Sequence, residues 1–471
     1  MELTYLGDII GILIIAYMVS IIIFYLIMMA VAYQTLAKRK RLDHDWLEDE
    51  FKMNIFTKPV SILVPAYNEE LGITESLHSL ITLKYPETEI IVIDDGSTDK
   101  TAQLVIESFD MVKSTRSIDT DLKTKKTLGI YQSKIHPKVF LIRKENGGKA
   151  DALNAGINFS RYPYFCSIDG DSILDSNSLL RVMRPIIESD GQVAVAGGNV
   201  RIANGNDIHF GAMVQKELGR NPVVLIQIIE YLRAFMLGRI FLSRFNMVLI
   251  VSGAFSIFNK RIVINAGGYS PDVIGEDMEL VVKVHAYIRK HKMNKRIEFV
   301  PDPVCWTEAP TSLSVLRRQR RRWAQGLFES LWKHKYITLN PKYGRLGFIA
   351  FPYFWLFEAF GAIVELAGYI YMITALFTDQ LNTEFAILIL ITLVIYGSIF
   401  SSLSLLIESW TTNNYLKPKS VIKLVLISLT ETFWYRPVTI LFRIEGMLRF
   451  IFKKQEWGNM ERKGLGRDSN Q

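Results

Sequence analysis

Residues 9–33 form an almost unbroken apolar run without one charged side chain. Lipid accepts such a segment only as a helix or a closed barrel, because a backbone inside hydrocarbon must satisfy its own hydrogen bonds. The run is long enough to cross a ~30 Å hydrocarbon core as a helix. It is too long for the core of a secretory signal, and no small-residue cleavage site follows it. Lys38-Arg39-Lys40-Arg41 comes directly after it, while Glu2 and Asp8 precede it. The bias of lysine and arginine toward the inner side of membranes then puts the N-terminus outside the cell and residue 38 onward in the cytoplasm.

Apolar character returns at the other end. Residues 346–377, 385–407 and 421–452 are of membrane length. The second is a clean span. The first carries Pro352, Glu358 and Glu365, which suits a segment lying partly along the interface. The third carries Arg436, Arg443, Glu445 and Arg449, a poor composition against lipid. The basic tail after Lys453 belongs in the cytoplasm, so an even number of crossings should follow the soluble part. Three segments break that parity, and the charged third one is expected not to cross simply. Five parts result: an N-terminal transmembrane helix over 1–37, a juxtamembrane linker over 38–57, a cytoplasmic domain over 58–330, a membrane region with transmembrane and interfacial helices over 331–452, and a basic tail over 453–471. The net charge is +8, with much of the excess at membrane flanks. Anionic lipid headgroups account for it without a nucleic-acid partner. Cys166 and Cys305 are the two cysteines. They make no disulfide framework and suit a reducing compartment. No CxxC, HExxH or histidine cluster argues for zinc.

Between the apolar ends, residues 58–310 read as an α/β domain. Residues 60–64, 89–94, 139–143 and 164–168 are short, largely apolar runs, the first of them rich in β-branched residues. Helical apolar spacing over 70–83 and 150–159 separates them. Continuous apolar strands alternating with helices predict a mostly parallel, buried sheet. Ligands bind beyond the carboxyl ends of such strands, and all four strands run into polar or acidic motifs. Residues 111–137, rich in Lys, Ser and Thr, read as a surface insertion.

Asp169-Gly170-Asp171 follows the fourth strand. Two carboxylates around a small residue can point at one divalent cation bridging a diphosphate, and hard oxygen ligands suit Mg2+ or Mn2+. The same residues also serve turns and helix caps. Asp94-Asp95-Gly96 ends the second strand; Asp94 could accept the imide N–H of a uracil, or cap a β-to-α turn. Asn68 and Glu69, after the first strand, could face a nucleotide. Asn146-Gly147-Gly148-Lys149 allows close backbone approach to a phosphate and supplies a fixed cation. Gly275-Glu276-Asp277 opens a helical stretch. A carboxylate there could take a proton from an attacking hydroxyl, or cap the helix. Gln319, Arg322 and Trp323 fall at i, i+3 and i+4 of one helix and share a face. Their guanidinium can bind a diphosphate, and their indole can floor a sugar ring. Arg320 and Arg321 point elsewhere and read as a topology signal or solvated face.

Taken in order, Asp94-Asp95-Gly, Asn-Gly-Gly-Lys149, Asp169-Gly-Asp171, Glu276-Asp277 and Gln319-Arg-Arg-Arg-Trp323 resemble the membrane-integrated family-2 glycosyltransferases, the group of cellulose, chitin, hyaluronan and poly-N-acetylglucosamine synthases. The resemblance covers residues 58–330 and extends to the membrane layout. It implies an α/β GT-A fold flanked by transmembrane helices, a UDP-sugar donor, Mg2+ or Mn2+, and inversion at the anomeric carbon. Carried over by position, Asp94 would contact uracil, with Asp95, Asn68 and Glu69 on the nucleotide side and Lys149 on the nucleotide. Asp169 and Asp171 would hold the metal and diphosphate, and Asp277 would be the general base. Glu276, Gln319, Arg322 and Trp323 would serve diphosphate and acceptor. Ser252-Gly253-Ala254 is similar to the family's segment near the acceptor terminus. The resemblance points to a hexosyltransferase of the plasma membrane making an exported polysaccharide processively, from UDP-N-acetylglucosamine first and UDP-glucose second. Glu358, Glu365, Arg436 and Arg443 would line a polar path for the polymer. Accessory export subunits fit that reading. Transfer of one sugar to a lipid acceptor, or a non-catalytic membrane scaffold, are the alternatives.

Overall fold

The computed structural model describes residues 2–42, 57–170, 172–205, 208–209, 212–213, 218–378, 381–411 and 417–453. By packing, they fall into two compact units. One holds described residues within 43–216 and 246–308; the other holds those within 2–42, 217–245 and 309–453. The stretches 217–245 and 309–330 thus pack with the apolar helices.

The first unit is an α/β domain. Its strands, in chain order, are β1 (Val60–Ala66), β2 (Thr88–Asp94), β3 (Met111–Lys113), β4 (Thr127–Ser133), β5 (Val139–Lys144), β6 (Tyr164–Ile168), β7 (Ile173–Leu174), β8 (Val193–Ile202), β9 (Ile208–His209), β10 (Ala212–Met213), β11 (Phe255–Asn259) and β12 (Arg296–Thr307). The main sheet has the order β3-β4-β5-β2-β1-β6-β11-β8-β12-β7. Its centre is parallel: β1 pairs with β2 and β6, and β2 with β5. Helices cover such strands on both faces, which is why they read as runs of Val, Ile and Leu rather than as alternation. Ile62, Val64, Val92, Ile93 and Leu141 are fully buried. The helix Lys149–Phe159 lies close because Gly156 has no Cβ to press on Leu63 and Ile93. The parallel centre brings the loops after β1, β2, β5 and β6 to one edge.

Residues 111–137 differ from a plain surface insertion. They contribute two antiparallel edge strands, β3 on β4 and β4 on β5. Leu122 is buried. The Arg116 guanidinium pairs with Glu89 at 2.8 Å and stacks on Phe159. The polar composition belongs to an edge that must shed pairing partners, with a few anchors inside.

In the second unit, three helical runs among the described residues are long and apolar enough to cross a membrane: Tyr5–Arg41, Leu346–Phe377 and Thr383–Thr411. The second passes through π-turns on either side of Pro352 before Gly361–Phe377 continues. Residues 421–452 are not one helix. Pro418–Ser428 and Tyr435–Ile451 are separated by a turn. The charges that made this segment a poor span are paired. Arg436 Nε lies 2.6 Å from Glu365 Oε2 and its Nη2 3.1 Å from Oε1. Arg233 meets Glu431 at 3.1 Å, and Arg443 donates to the Glu358 carbonyl. Buried ions persist where each has a partner, and Arg436 with Glu365 and Arg233 with Glu431 are such pairs.

Candidate active site

Lys149 organises the site. It is the first residue of its helix, directly after Gly148 at φ 85°, a backbone geometry that favours glycine. Its ammonium lies 2.9 Å from Asp169 Oδ1, 3.2 Å from Glu276 Oε1 and 3.2 Å from Asp277 Oδ2. Asp169 directly follows β6, and the two acids open the helix Glu276–Lys290. Three carboxylates from two places in the chain therefore converge on one cation. Gly275 is the N-cap of that helix, and Glu276 and Asp277 stand in its first turn.

Burial pushes the Asp277 carboxyl up to about 7; Lys149 opposes the shift, while Glu276 and Asp169 add to it. Burial acts to lower Lys149, yet Asp169, Asp277 and Glu276 together hold it well above the usual lysine range. Asp277 is thus a carboxylate poised to exchange a proton near neutral pH. Gly253 leaves it room, since a Cβ there would collide with Asp277 Oδ2. That places the Ser252-Gly253-Ala254 segment against Asp277.

The strand-end loops are tied together. Asp94 is buried, accepts from the Ser97 amide at 3.1 Å and faces Arg143 Nε at 3.7 Å. Asn68, at φ 55°, accepts from the Thr98 amide at 2.9 Å, and the Glu69 amide donates to Thr101 Oγ1 at 2.8 Å. Asp95 has an internal role. It pairs with the fully buried Lys144 and accepts from the amides of Gly147 and Gly148. The Asn-Gly-Gly amides are therefore directed at Asp95, and what this loop offers outward is Lys149. Asp171 lies outside the described residues.

Gln319, Arg322 and Trp323 belong to the other unit, on the helix Leu313–Lys333. Trp323 is 42% exposed and Arg322 is half-buried. Gln319 Oε1 is buried without a hydrogen-bond partner among the described residues. Of the arginines beside them, Arg320 and Arg321 are not a solvated face, while Arg317 is exposed. Arg320 is buried against Glu230 at 2.6 Å, and Arg317 and Arg321 hold Glu445 at 2.7 and 3.0 Å.

A divalent cation that bridges a diphosphate asks for only one or two protein carboxylates. Asp169, one-third exposed, offers hard oxygen atoms of that kind. Among the described residues no cluster of three or more His, Cys, Asp or Glu side chains stands ready to hold an ion by itself. Asp169 fits as one carboxylate ligand of a metal carried in with a diphosphate.

The family model Glycosyl transferase family 2 matches residues 61–265. A second, Glycosyl transferase family group 2, matches residues 164–400, half of the chain. The chain is a family 2 glycosyltransferase. Two curated proteins called poly-beta-1,6-N-acetyl-D-glucosamine synthase are similar to this glycosyltransferase. The one from Staphylococcus aureus (strain COL) is 32% identical over 285 residues, 60% of this chain and 58% of its own. The one from Staphylococcus epidermidis is 30% identical over the same length and shares. The chain thus spans 58% of the length of these relatives. Among solved structures, the mannosyltransferase PcManGT from Pyrobaculum calidifontis, in complex with GDP-Man and Mn2+, superposes with a TM-score of 0.50 at 16% identity. The match covers 91% of this chain and 100% of that one, and the shared fold is GT-A.

The residues the sequence left unassigned have long-range partners. Lys144, Glu230 and Tyr435 carry no motif, and their roles depend on Asp95 and Arg320, which are distant in sequence. Gly253 lies inside a segment already singled out, but its contact with Asp277 needed the fold.

Proposed function

We propose that this family 2 glycosyltransferase is an inverting, metal-dependent hexosyltransferase that builds a β-linked extracellular polysaccharide processively from UDP-N-acetylglucosamine. The observation that carries the reading is the gathering of Asp169, Glu276 and Asp277 on Lys149, with the Asp277 carboxyl held near neutrality. The relatives named poly-beta-1,6-N-acetyl-D-glucosamine synthase support the choice of donor; UDP-glucose is second.

Asp277 takes the proton from an acceptor hydroxyl as that oxygen attacks C1 of the donor sugar. The new C–O bond forms opposite the diphosphate, the bond from C1 to the diphosphate breaks, and UDP leaves with its electron pair. The anomeric configuration inverts, and the proton rests on Asp277. A base titrating near the working pH combines availability with driving force better than an ordinary carboxylate. Lys149 gathers the three acids before the donor arrives, and in this reading its ammonium meets the nucleotide. Asp94, Asn68 and Glu69 shape the nucleoside loops, with Asp95 holding the Lys149 loop behind them. Gln319, Arg322 and Trp323 serve diphosphate and acceptor. Mg2+ or Mn2+, held by Asp169 and Asp171, would neutralise the departing diphosphate.

In this reading the N-terminus lies outside the plasma membrane and the GT-A domain, 58–330, faces the cytoplasm. The flanking helices sit among membrane lipids and pass the polymer outward, with accessory export subunits as partners. The test is a panel of UDP-sugars with membranes carrying the protein, with Mn2+ or Mg2+ and with chelator, followed by product sizing. Metal-dependent UDP release from UDP-N-acetylglucosamine with a ladder of long products is expected. One sugar on a lipid would establish single transfer instead, and release from no donor would sink the proposal.

A further inference from the structure

Arg320 lies within the basic run, yet it is buried and takes no part in the chemistry above. Its Nη2 lies 2.6 Å from Glu230 Oε2, and the Tyr435 hydroxyl donates to the same oxygen at 2.9 Å. Three segments meet there: the helices Pro222–Arg233, Leu313–Lys333 and Tyr435–Ile451. Ile226, Leu316 and Tyr435 form a small apolar core around the contact. Held in this way, the Arg320 guanidinium carbon sits 4.4 Å from the centroid of the Trp323 ring. Tyr231, next to Glu230 in sequence, approaches the same ring with centroids 6.3 Å apart. Trp323 is otherwise exposed.

An exposed tryptophan has several rotamers, and a sugar platform needs one. We propose that Arg320 is the positioning residue of Trp323: Glu230 and Tyr435 fix the guanidinium, and its flat face fixes the indole that receives the acceptor sugar. The inference rests on the acceptor role proposed for Trp323. It explains an arginine rather than a lysine at 320, because only the planar guanidinium both stacks on the ring and pairs with the carboxylate. It also gives a half-buried carboxylate, Glu230, a use other than stability.

The test uses the full chain in lipid nanodiscs. Arg320→Lys keeps the charge for Glu230 and removes the stacking plane. It should raise the KM for a short β-linked N-acetylglucosamine oligosaccharide about tenfold, the scale of a partly desolvated cation–π contact. The donor KM should stay within about twofold. Acrylamide quenching of Trp323 should rise, read as the difference between each protein and its Trp323→Phe version. Tyr435→Phe, which removes one hydrogen bond, should move both readouts the same way by a smaller factor. Wild-type quenching and wild-type acceptor KM in a monodisperse Arg320→Lys protein would overturn the proposal. If the wild type transfers no sugar, the proposed activity fails, and quenching alone decides whether Arg320 orders Trp323.

Discussion

A carboxyl has to be ionised to act as a base and close to its pKa to act well, and the base role proposed for Asp277 draws on its neighbours for both. Burial and the charge of Glu276 raise it, while Lys149 pulls it down. The two neighbours therefore predict opposite shifts. Glu276→Gln removes a negative charge, lowers the Asp277 pKa and moves the acid limb of kcat/KM to lower pH. Lys149→Met removes the cation, raises the pKa and moves that limb to higher pH. The pH–rate profiles of the two variants should bracket the wild type; shifts in one common direction would contradict the assignment. The identity of these residues was readable from their motifs. Their values were not, because the shift comes from three side chains that the fold brings together. Asp95 shows the converse. Its motif suggests a ligand contact, yet its carboxylate is directed at Lys144 and two loop amides, partners some fifty residues away.

At the scale of elements, apolar runs bounded by turn residues were reliable where both faces are covered. β1, β2 and β5 follow directly from Val, Ile and Leu, and β6 from the apolar run Tyr164-Phe-Cys-Ser-Ile168. β12 escaped because Pro301 and Pro303 lie inside it, and proline normally excludes a strand from a sheet interior. It is accommodated by register shifts around Pro303. β8 escaped because it carries Gly197 and Gly198 amid buried neighbours. The helix Leu313–Lys333 was visible as a helix, but its docking was not. Gly446 of Tyr435–Ile451 packs so closely that a Cβ would collide with the Arg321 carbonyl and press on Ala324. Gly446→Leu should destabilise the protein by about 1–3 kcal/mol through overpacking. Thermal unfolding in detergent should show a lower apparent Tm, and an unchanged Tm would contradict this close packing.

At the scale of the whole molecule, the apolar stretches foretold helices long and apolar enough to cross a membrane toward both ends of the chain, and the strand-end motifs foretold a GT-A sheet between them in sequence. Composition could not foretell that charges in 346–377 and 421–452 are matched to each other across the fold, since pairing is a property of the folded chain. The central claim is that one carboxylate, Asp277, performs the proton transfer of a sugar-transfer reaction. Asp277→Asn keeps the shape of the side chain and removes the base. Measured side by side with wild type in nanodiscs, it should lose at least about a hundredfold in sugar transfer from UDP-N-acetylglucosamine while binding UDP nearly as tightly. Transfer at the wild-type rate by Asp277→Asn would contradict the account.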